Sequence, residues 1–318
     1  MNLIQKTLGL DPSLANLKIS PIFYMGNKRR LISQGLIAKF PKDISTFYDV
    51  FAGSAIVSMN VQANSYVLND LDTSLIDLYQ MFREYSSDEI IWRVEENIKE
   101  FGLPTERTKR NVYFDTDKID EYKVAYNKLR ERYNKNHWIT DFYTLMFFSF
   151  SQMFRFNSDG DYNMPFGNDT FSEPNKQYIR NGCKFFSNPK VVWYNGDFRT
   201  LLTSIQKNLT LEDFLYFDPP YYITMAVYNE RGDNKWGEAE ELDLYQWLDV
   251  LNQDGIRWGL SNVVSNKDVR NDILCDWLSR NDYNIHHFES HTYVACGKGN
   301  SNADEVFITN YSTGVDKS

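Results

Sequence analysis

The chain has 318 residues, 42% of them hydrophobic and 24% charged, with a mean hydropathy of −0.51. That length carries one large domain or two unequal ones, and with 16 Gly and 9 Pro the composition excludes disorder and collagen-like repeats. The net charge of −9 speaks against a polyphosphate binder acting through its global field, so any nucleic-acid contact has to come from a local basic face.

No stretch approaches the roughly 20 apolar residues of a membrane helix. The most apolar run, 143–154, is interrupted by Thr144, Ser149, Ser151 and Gln152. The N-terminal MNLIQKTLGLDPS lacks a basic segment followed by an apolar one and does not read as a secretory signal. Cys183, Cys275 and Cys296 are far apart, odd in number and without metal-ligand spacing. The sequence therefore predicts no metal centre and a reducing, cytoplasmic setting.

In chain order, residues 29–40 have helical spacing, with Leu31, Leu36 and Ile37 able to share a face. Thr46-Phe-Tyr-Asp-Val-Phe51 and Ser65-Tyr-Val-Leu-Asn-Asp70 read as buried strands, and Ala52-Gly-Ser-Ala-Ile56 between them opens a helix. Strand, tight turn, helix, strand is a nucleotide-type βαβ unit. The middle of the chain reads as mostly helical. Residues 118–134 form a polar-faced helix with Tyr122, Ala125, Tyr126 and Leu129 as its apolar stripe, and 157–163 a hairpin tip turning at Asp159-Gly160. From Val191 onward strands and helices alternate again: strands over 214–217, 256–260 and 306–309, and an amphipathic helix over 238–251. The economical architecture is α/β, a Rossmann-like sheet interrupted by a helical insertion. The expected divisions are an N-terminal extension over 1–20, a discontinuous core of 21–72 and 190–312, an insertion over 73–189 and a polar tail over 313–318.

The sharpest chemical feature is Asp218-Pro219-Pro220-Tyr221 directly after an apolar strand. Ligands of open α/β sheets sit beyond the carboxyl ends of strands, where this tetrapeptide falls. Two prolines have fixed backbone angles and no N–H, so their carbonyls face outward without a competing donor. A carboxylate, a preset carbonyl and an aromatic ring are thus placed together. That set suits methylation of an exocyclic amine on a planar base, a poor nucleophile because its lone pair is delocalised into the ring. Asp218 and the Pro219 carbonyl would grip the two N–H bonds and favour pyramidalisation, while Tyr221 stacks on the base, a contact worth about 1–3 kcal/mol.

Two further segments fit a nucleoside cofactor. In Asp49-Val-Phe-Ala-Gly-Ser54, Gly53 lets backbone approach a ligand, and Asp70, after the second strand, suits ribose hydroxyls. In Tyr24-Met-Gly-Asn-Lys28, a Gly-containing turn brings a lysine to a helix start, which suits a carboxylate or phosphate.

With these three segments in order, the chain resembles the Dam-family DNA adenine-N6 methyltransferases, the alpha group or D12 class, most closely their bacteriophage members, over about residues 21–310. Tyr228-Asn229, Gly259-Leu-Ser-Asn262 and Ala303-Asp-Glu-Val-Phe307 add to the likeness. The resemblance implies S-adenosyl-L-methionine as cofactor, with Tyr24, Lys28, Phe51, Gly53, Asp70 and Asp218 around it. It also implies catalysis by Asp218, Pro219, Pro220 and Tyr221, double-stranded DNA as substrate, and flipping of the target adenine out of the duplex. The insertion would be the target-recognition domain, with Ser151, Arg155, Asn157 and Pro165 on its DNA-binding hairpin; Arg155 and Asn157 would contact DNA or position the hairpin. Lys28, Arg29, Arg30, Arg107, Lys109, Arg110, Lys128, Arg130 and Arg132 would line the DNA path. After Pro-Phe-Gly the phage members carry basic residues where this chain has Asn168-Asp169, so the resemblance does not carry GATC over as the site. A cognate restriction endonuclease is the expected partner. A methyltransferase acting on RNA, or an inactive DNA-binding homologue, is the alternative.

Overall fold

In the computed structural model, residues 17–105, 118–167, 169–223, 236–266, 269–288 and 303–313 are described. Short runs rich in aromatic and β-branched residues, the kind that fit a pleated half-buried surface, form the central sheet. Thr46–Asp49 (β1), Ser65–Asp70 (β2), Val191–Asn195 (β3) and Phe214–Phe217 (β4) pair in parallel, with Phe47 of β1 opposite Tyr66 of β2 and Phe214 of β4. All four residues of β4 are buried, as expected of a parallel strand covered on both faces. Arg257–Asn266 (β5) continues parallel to β4. Val269–Arg270 (β6), Asn284–His287 (β7) and Ala303–Thr309 (β8) run antiparallel to their partners. The order is β3-β2-β1-β4-β5-β8-β7, with β6 beside β5. The chain moves outward from β1 on one side and re-enters at β4 on the other, so the switch point of the sheet lies where Asp49 ends β1 and Asp218 follows β4.

The helix expected over 29–40 is two pieces. Arg29–Ser33 (α1) stops where Gly35 takes φ +92°, and a 3₁₀ turn, Ile37–Lys39, follows; Leu31 and Leu36 are still buried. A left-handed residue reverses the chain, which helical spacing alone does not reveal. Ile56–Asn60 (α2) joins β1 to β2. Thr73–Glu84 (α3), Ser87–Phe101 (α4), Ile119–Asn136 (α5), Ile139–Phe148 (α6) and Glu173–Phe186 (α7) all lie between β2 and β3. Three of these starts are capped as short polar side chains predict: Asp72 accepts from the Ser74 amide, Ser86 from the Glu89 amide, and Ser172 pairs with Asn175 in a capping box. Phe198–Ile205 (α8), Glu238–Gln253 (α9) and Asp272–Ser279 (α10) accompany the second half of the sheet. Among the described residues no helix is long and apolar enough to cross a membrane.

The aromatic content is chiefly core. Phe40 lies 4.9–6.0 Å, centroid to centroid, from Phe47, Phe214, Tyr216 and Phe307 on one side of the sheet. Leu248, Trp258 and Trp277 pack in a second cluster, and Tyr79, Phe82, Tyr143 and Phe186 hold the inserted helices to β2. Between α6 and α7 the chain makes a hairpin with bridges Ser149–Phe166 and Phe156–Tyr162, turning at Gly160 with φ +82°. Its base needs Gly167, where a Cβ would lie 2.3 Å from the Ser149 carbonyl oxygen.

Three of the basic residues expected along a DNA path are paired with carboxylates of the protein. Lys28 and Arg30 pair with Asp218 and Glu305, and Arg132 grips Asp141, only 1% exposed, through two hydrogen bonds of 2.8 Å. Asn97 donates to the same carboxylate, and Arg132 also reaches Glu100, so one guanidinium ties α4, α5 and α6 together. Arg107, Lys109 and Arg110 lie outside the described residues. Arg132→Met leaves Asp141 as a buried, uncompensated charge and should cost about 3–5 kcal/mol of stability in urea unfolding; a loss below about 1 kcal/mol would contradict this role.

Candidate active site

The buried strand β4 delivers Asp218 to the switch point, and the two prolines after it turn the chain toward solvent. Asp218 Oδ2 lies 2.7 Å from Lys28 Nζ, which is itself 2.9 Å from the Gly26 carbonyl and 4.9 Å from the centroid of the Tyr221 ring. Lys28 is only 4% exposed, so the segment before α1 reaches inward to meet the loop after β4. The other oxygen, Asp218 Oδ1, is buried and accepts no hydrogen bond from the described residues. Burial pushes the Asp218 carboxyl up to about 6, against the pull of the Lys28 ammonium. Tyr221 is half-buried, and its hydroxyl donates to Glu305 Oε1 at 2.8 Å; Glu305 in turn pairs with Arg30.

The turn after β1 is held by Asp70, whose Oδ2 accepts from the Gly53 amide at 2.8 Å and whose Oδ1 accepts from the Asp72 amide at 2.9 Å. Gly53 has φ +52°, and a Cβ there would stand 3.2 Å from the Tyr24 ring, so both its backbone angle and its neighbour call for glycine. The Tyr79 hydroxyl holds the Gly53 carbonyl. Burial raises the Asp70 carboxyl to about 6, opposed by those backbone donors, and raises the Asp49 carboxyl to about 7, opposed by a 2.5 Å bond from Ser58 Oγ. Phe51 lies in an aromatic group with Phe198 and Trp236, each 5.5 Å away. Sequence reading had not singled out Phe198 or Trp236. A signal for Phe198 was available, since Asp197 caps α8 directly after β3.

Tyr24 meets the inserted hairpin through Phe154, ring centroids 5.6 Å apart. A cavity of about 320 Å³ opens between the two segments, lined in part by Tyr24, Met25, Asn27, Ser54, Ser151 and Gln152. Ser151 and Gln152 both have positive φ, 56° and 55°, a strained pair for non-glycine residues. Arg155 and Asn157 serve the hairpin itself. Arg155 Nε donates to Asn163 Oδ1 at 2.8 Å, and Asn157 Oδ1 accepts from the Asp159 and Asp161 amides. The Pro165 carbonyl accepts from the Phe150 amide across the hairpin base. The structure therefore joins Lys28, Asp218 and Tyr221 in direct contact and links Tyr24 to Gly53 and Asp70. Asn168 and Tyr228-Asn229 lie outside the described residues.

An α/β sheet with an acidic strand end, a Pro-Pro-Tyr turn and a lysine-bearing first segment agrees with a comparison of the sequence with known families, in which the profile of D12 class N6 adenine-specific DNA methyltransferases matches residues 24–292. The chain belongs to that family. It is 34% identical over 302 residues to modification methylase StsI of Streptococcus sanguinis and 33% over 299 residues to type II methyltransferase M.FokI of Planomicrobium okeanokoites. Each match takes in 92% of this chain and 43% of the relative, so the chain spans less than half the length of these two proteins. Type II methyltransferase M1.LlaDCHI of Lactococcus lactis subsp. cremoris is 24% identical over 98% of this chain and 99% of its own length.

Asp70→Ala leaves the Gly53 and Asp72 amides without their acceptor and should lower stability by about 1–3 kcal/mol in urea unfolding. Asp70→Asn keeps one acceptor oxygen and should lose less; equal losses would show that the turn does not depend on these bonds.

Proposed function

We propose that this chain transfers a methyl group from S-adenosyl-L-methionine to N6 of an adenine flipped out of a short double-stranded DNA site. The observation that carries the reading is the Asp218 carboxylate: one oxygen is neutralised by Lys28 and the other is buried without a donor among the described residues, beside the half-exposed Tyr221 ring. That is an acceptor kept dry and oriented for a hydrogen from outside the protein. Asp218 Oδ1 and the Pro219 carbonyl take the two amine hydrogens, the rigid Pro219-Pro220 pair fixes that carbonyl, and Tyr221 stacks on the purine. Stacking recovers part of the few kcal/mol that extrusion of the base costs. The cofactor, when bound, supplies an electrophilic methyl on a sulfonium. Once the amine nitrogen is alkylated it is cationic and acidic, so Asp218 has only to hold a hydrogen bond and accept a proton at the end.

Tyr24, Lys28, Phe51, Gly53, Asp70 and Asp218 surround the cofactor in this reading. Support comes from the left-handed Gly53, which leaves an approach open beside Tyr24, and from the three carboxylates at the strand ends, which suit hydroxyls and a cationic sulfur. We assign 21–72 and 190–312 to the catalytic unit and 73–189 to target recognition, with Ser151, Arg155, Asn157 and Pro165 on the hairpin that meets DNA. Because Arg155 and Asn157 brace that hairpin, their effect on DNA works at least partly through its shape. The names of the relatives, modification methylase and type II methyltransferase, support a modification role, and a cognate restriction endonuclease as partner and a cytoplasmic setting are part of the same reading. An inactive DNA-binding homologue would have no need to keep Lys28 and Asp218 paired.

With tritiated S-adenosyl-L-methionine, the protein should label unmethylated duplex DNA and leave RNA unlabelled. Asp218→Ala should reduce labelling by about 10²-fold or more while the protein still binds cofactor. Labelling confined to RNA, or full activity in the variant, would overturn the proposal. The carboxylate form of Asp218 is the acceptor and its pKa is raised to about 6, so kcat/KM should fall as pH drops through about 6. A profile flat down to pH 5 would remove Asp218 from that role.

A further inference from the structure

We infer that Glu305 is a positioning residue for methyl transfer: it holds the Tyr221 hydroxyl so that the ring axis keeps one constant direction beside the base. The inference rests on the adenine-N6 reading above. Glu305 lies within β8, is 2% exposed, and faces the loop after β4 rather than solvent. A carboxylate in such a place is costly unless both oxygens are used. Arg30 takes one oxygen and the Tyr221 hydroxyl the other, at 2.8 Å.

The ion pair with Arg30 would by itself account for a structural glutamate. The bond to Tyr221 is what needs a further reason, and the loop supplies it. Pro219 and Pro220 have no backbone N–H, so no amide of theirs can anchor the turn that carries Tyr221. The ring is held instead through its own side chain, at the hydroxyl by Glu305 and at one face by the Lys28 ammonium 4.9 Å from its centroid. Lys28 and Arg30 sit two residues apart at the start of α1 and supply a cation to each of the two carboxylates that flank the ring. The tyrosine is therefore clamped between two ion pairs that share one short segment. The hydroxyl bond holds the ring axis in one direction, and the ammonium over one face limits rotation about that axis, before a base arrives.

The test compares Tyr221→Phe, which keeps the ring and removes only the hydroxyl, with Glu305→Ala, Glu305→Gln and the double variant Tyr221→Phe/Glu305→Ala. Methyl transfer from tritiated S-adenosyl-L-methionine to unmethylated genomic DNA is measured, with thermal unfolding of each variant. Tyr221→Phe and Glu305→Ala should each lower kcat about 10- to 100-fold, with the KM for cofactor changed less than about 3-fold. The double variant should be no slower than the slower single variant. Glu305→Gln, which keeps an acceptor for the hydroxyl while losing the charge that pairs with Arg30, should retain kcat within about 3-fold. A merely structural glutamate would instead lower kcat as much in the Tyr221→Phe background as in the wild type, and Glu305→Gln would then be as impaired as Glu305→Ala. Either result overturns the inference, as does full activity in Glu305→Ala. Should Glu305→Ala not fold, Tyr221→Phe and Glu305→Gln carry the comparison. A wild-type protein that labels no DNA fails the adenine-N6 reading and takes the inference with it, whereas an active wild type with unaffected variants overturns the inference alone.

Discussion

The structure turns on a buried ion pair between Lys28 and Asp218. A carboxylate at the end of a fully buried strand is under pressure to take up a proton, and burial outweighs the lysine's pull enough to leave its pKa near 6. Without the ammonium 2.7 Å away it would titrate higher still, and protonation would turn one of its two acceptor oxygens into a donor. The lysine can stand there only because the chain before α1 turns inward at Gly26 and its own carbonyl satisfies a second hydrogen of the ammonium. The first segment, the loop after β4 and β8 are thereby interlocked, since Arg30 two residues on repeats the arrangement with Glu305.

The rest of the site follows from sheet topology. The reversal of strand order between β1 and β4 opens a crevice at their carboxyl ends, and Asp49, Asp70 and Asp218 stand at or just beyond the ends of β1, β2 and β4. Each is managed differently: Asp49 by a serine hydroxyl, Asp70 by two backbone amides, Asp218 by a lysine. Asp49 and Asp70 each accept hydrogen bonds from their own turn or the helix after it, while of the three Asp218 alone keeps a buried oxygen with no donor among the described residues. The acidic net charge, which counted mildly against DNA as a partner, is drawn partly from carboxylates buried in this crevice.

What could be read from sequence was whatever is encoded locally. Strands β2 and β4 were legible because their apolar runs end in acidic residues or proline. The helix now labelled α5 was legible from the spacing of Ala125, Tyr126 and Leu129, all buried. The break at Gly35 was not, because helical spacing on either side of a left-handed residue looks continuous. Strand β5 runs to Asn266, beyond the expected 260, because β8 pairs along it to its last residue, a contact no local pattern announces. Glu305 and Arg30 are separated by 275 positions, and each alone is an ordinary charged residue. The only local hint was a glutamate set inside the apolar strand Ala303–Thr309. The partners of Lys28 and Arg30 were hidden for the same reason, since Asp218 and Glu305 lie far along the chain.

The most direct test of the central claim is a crystal structure with a cofactor analogue and a duplex carrying the methylation site, once sequencing of DNA from an expressing host has identified that site. The account predicts an adenine outside the helix, stacked on Tyr221, with its N6 within hydrogen-bonding distance of Asp218 Oδ1 and the Pro219 carbonyl. An adenine still paired in the duplex, or a Tyr221 ring packed into the protein with another group filling the space beside Asp218, would contradict it.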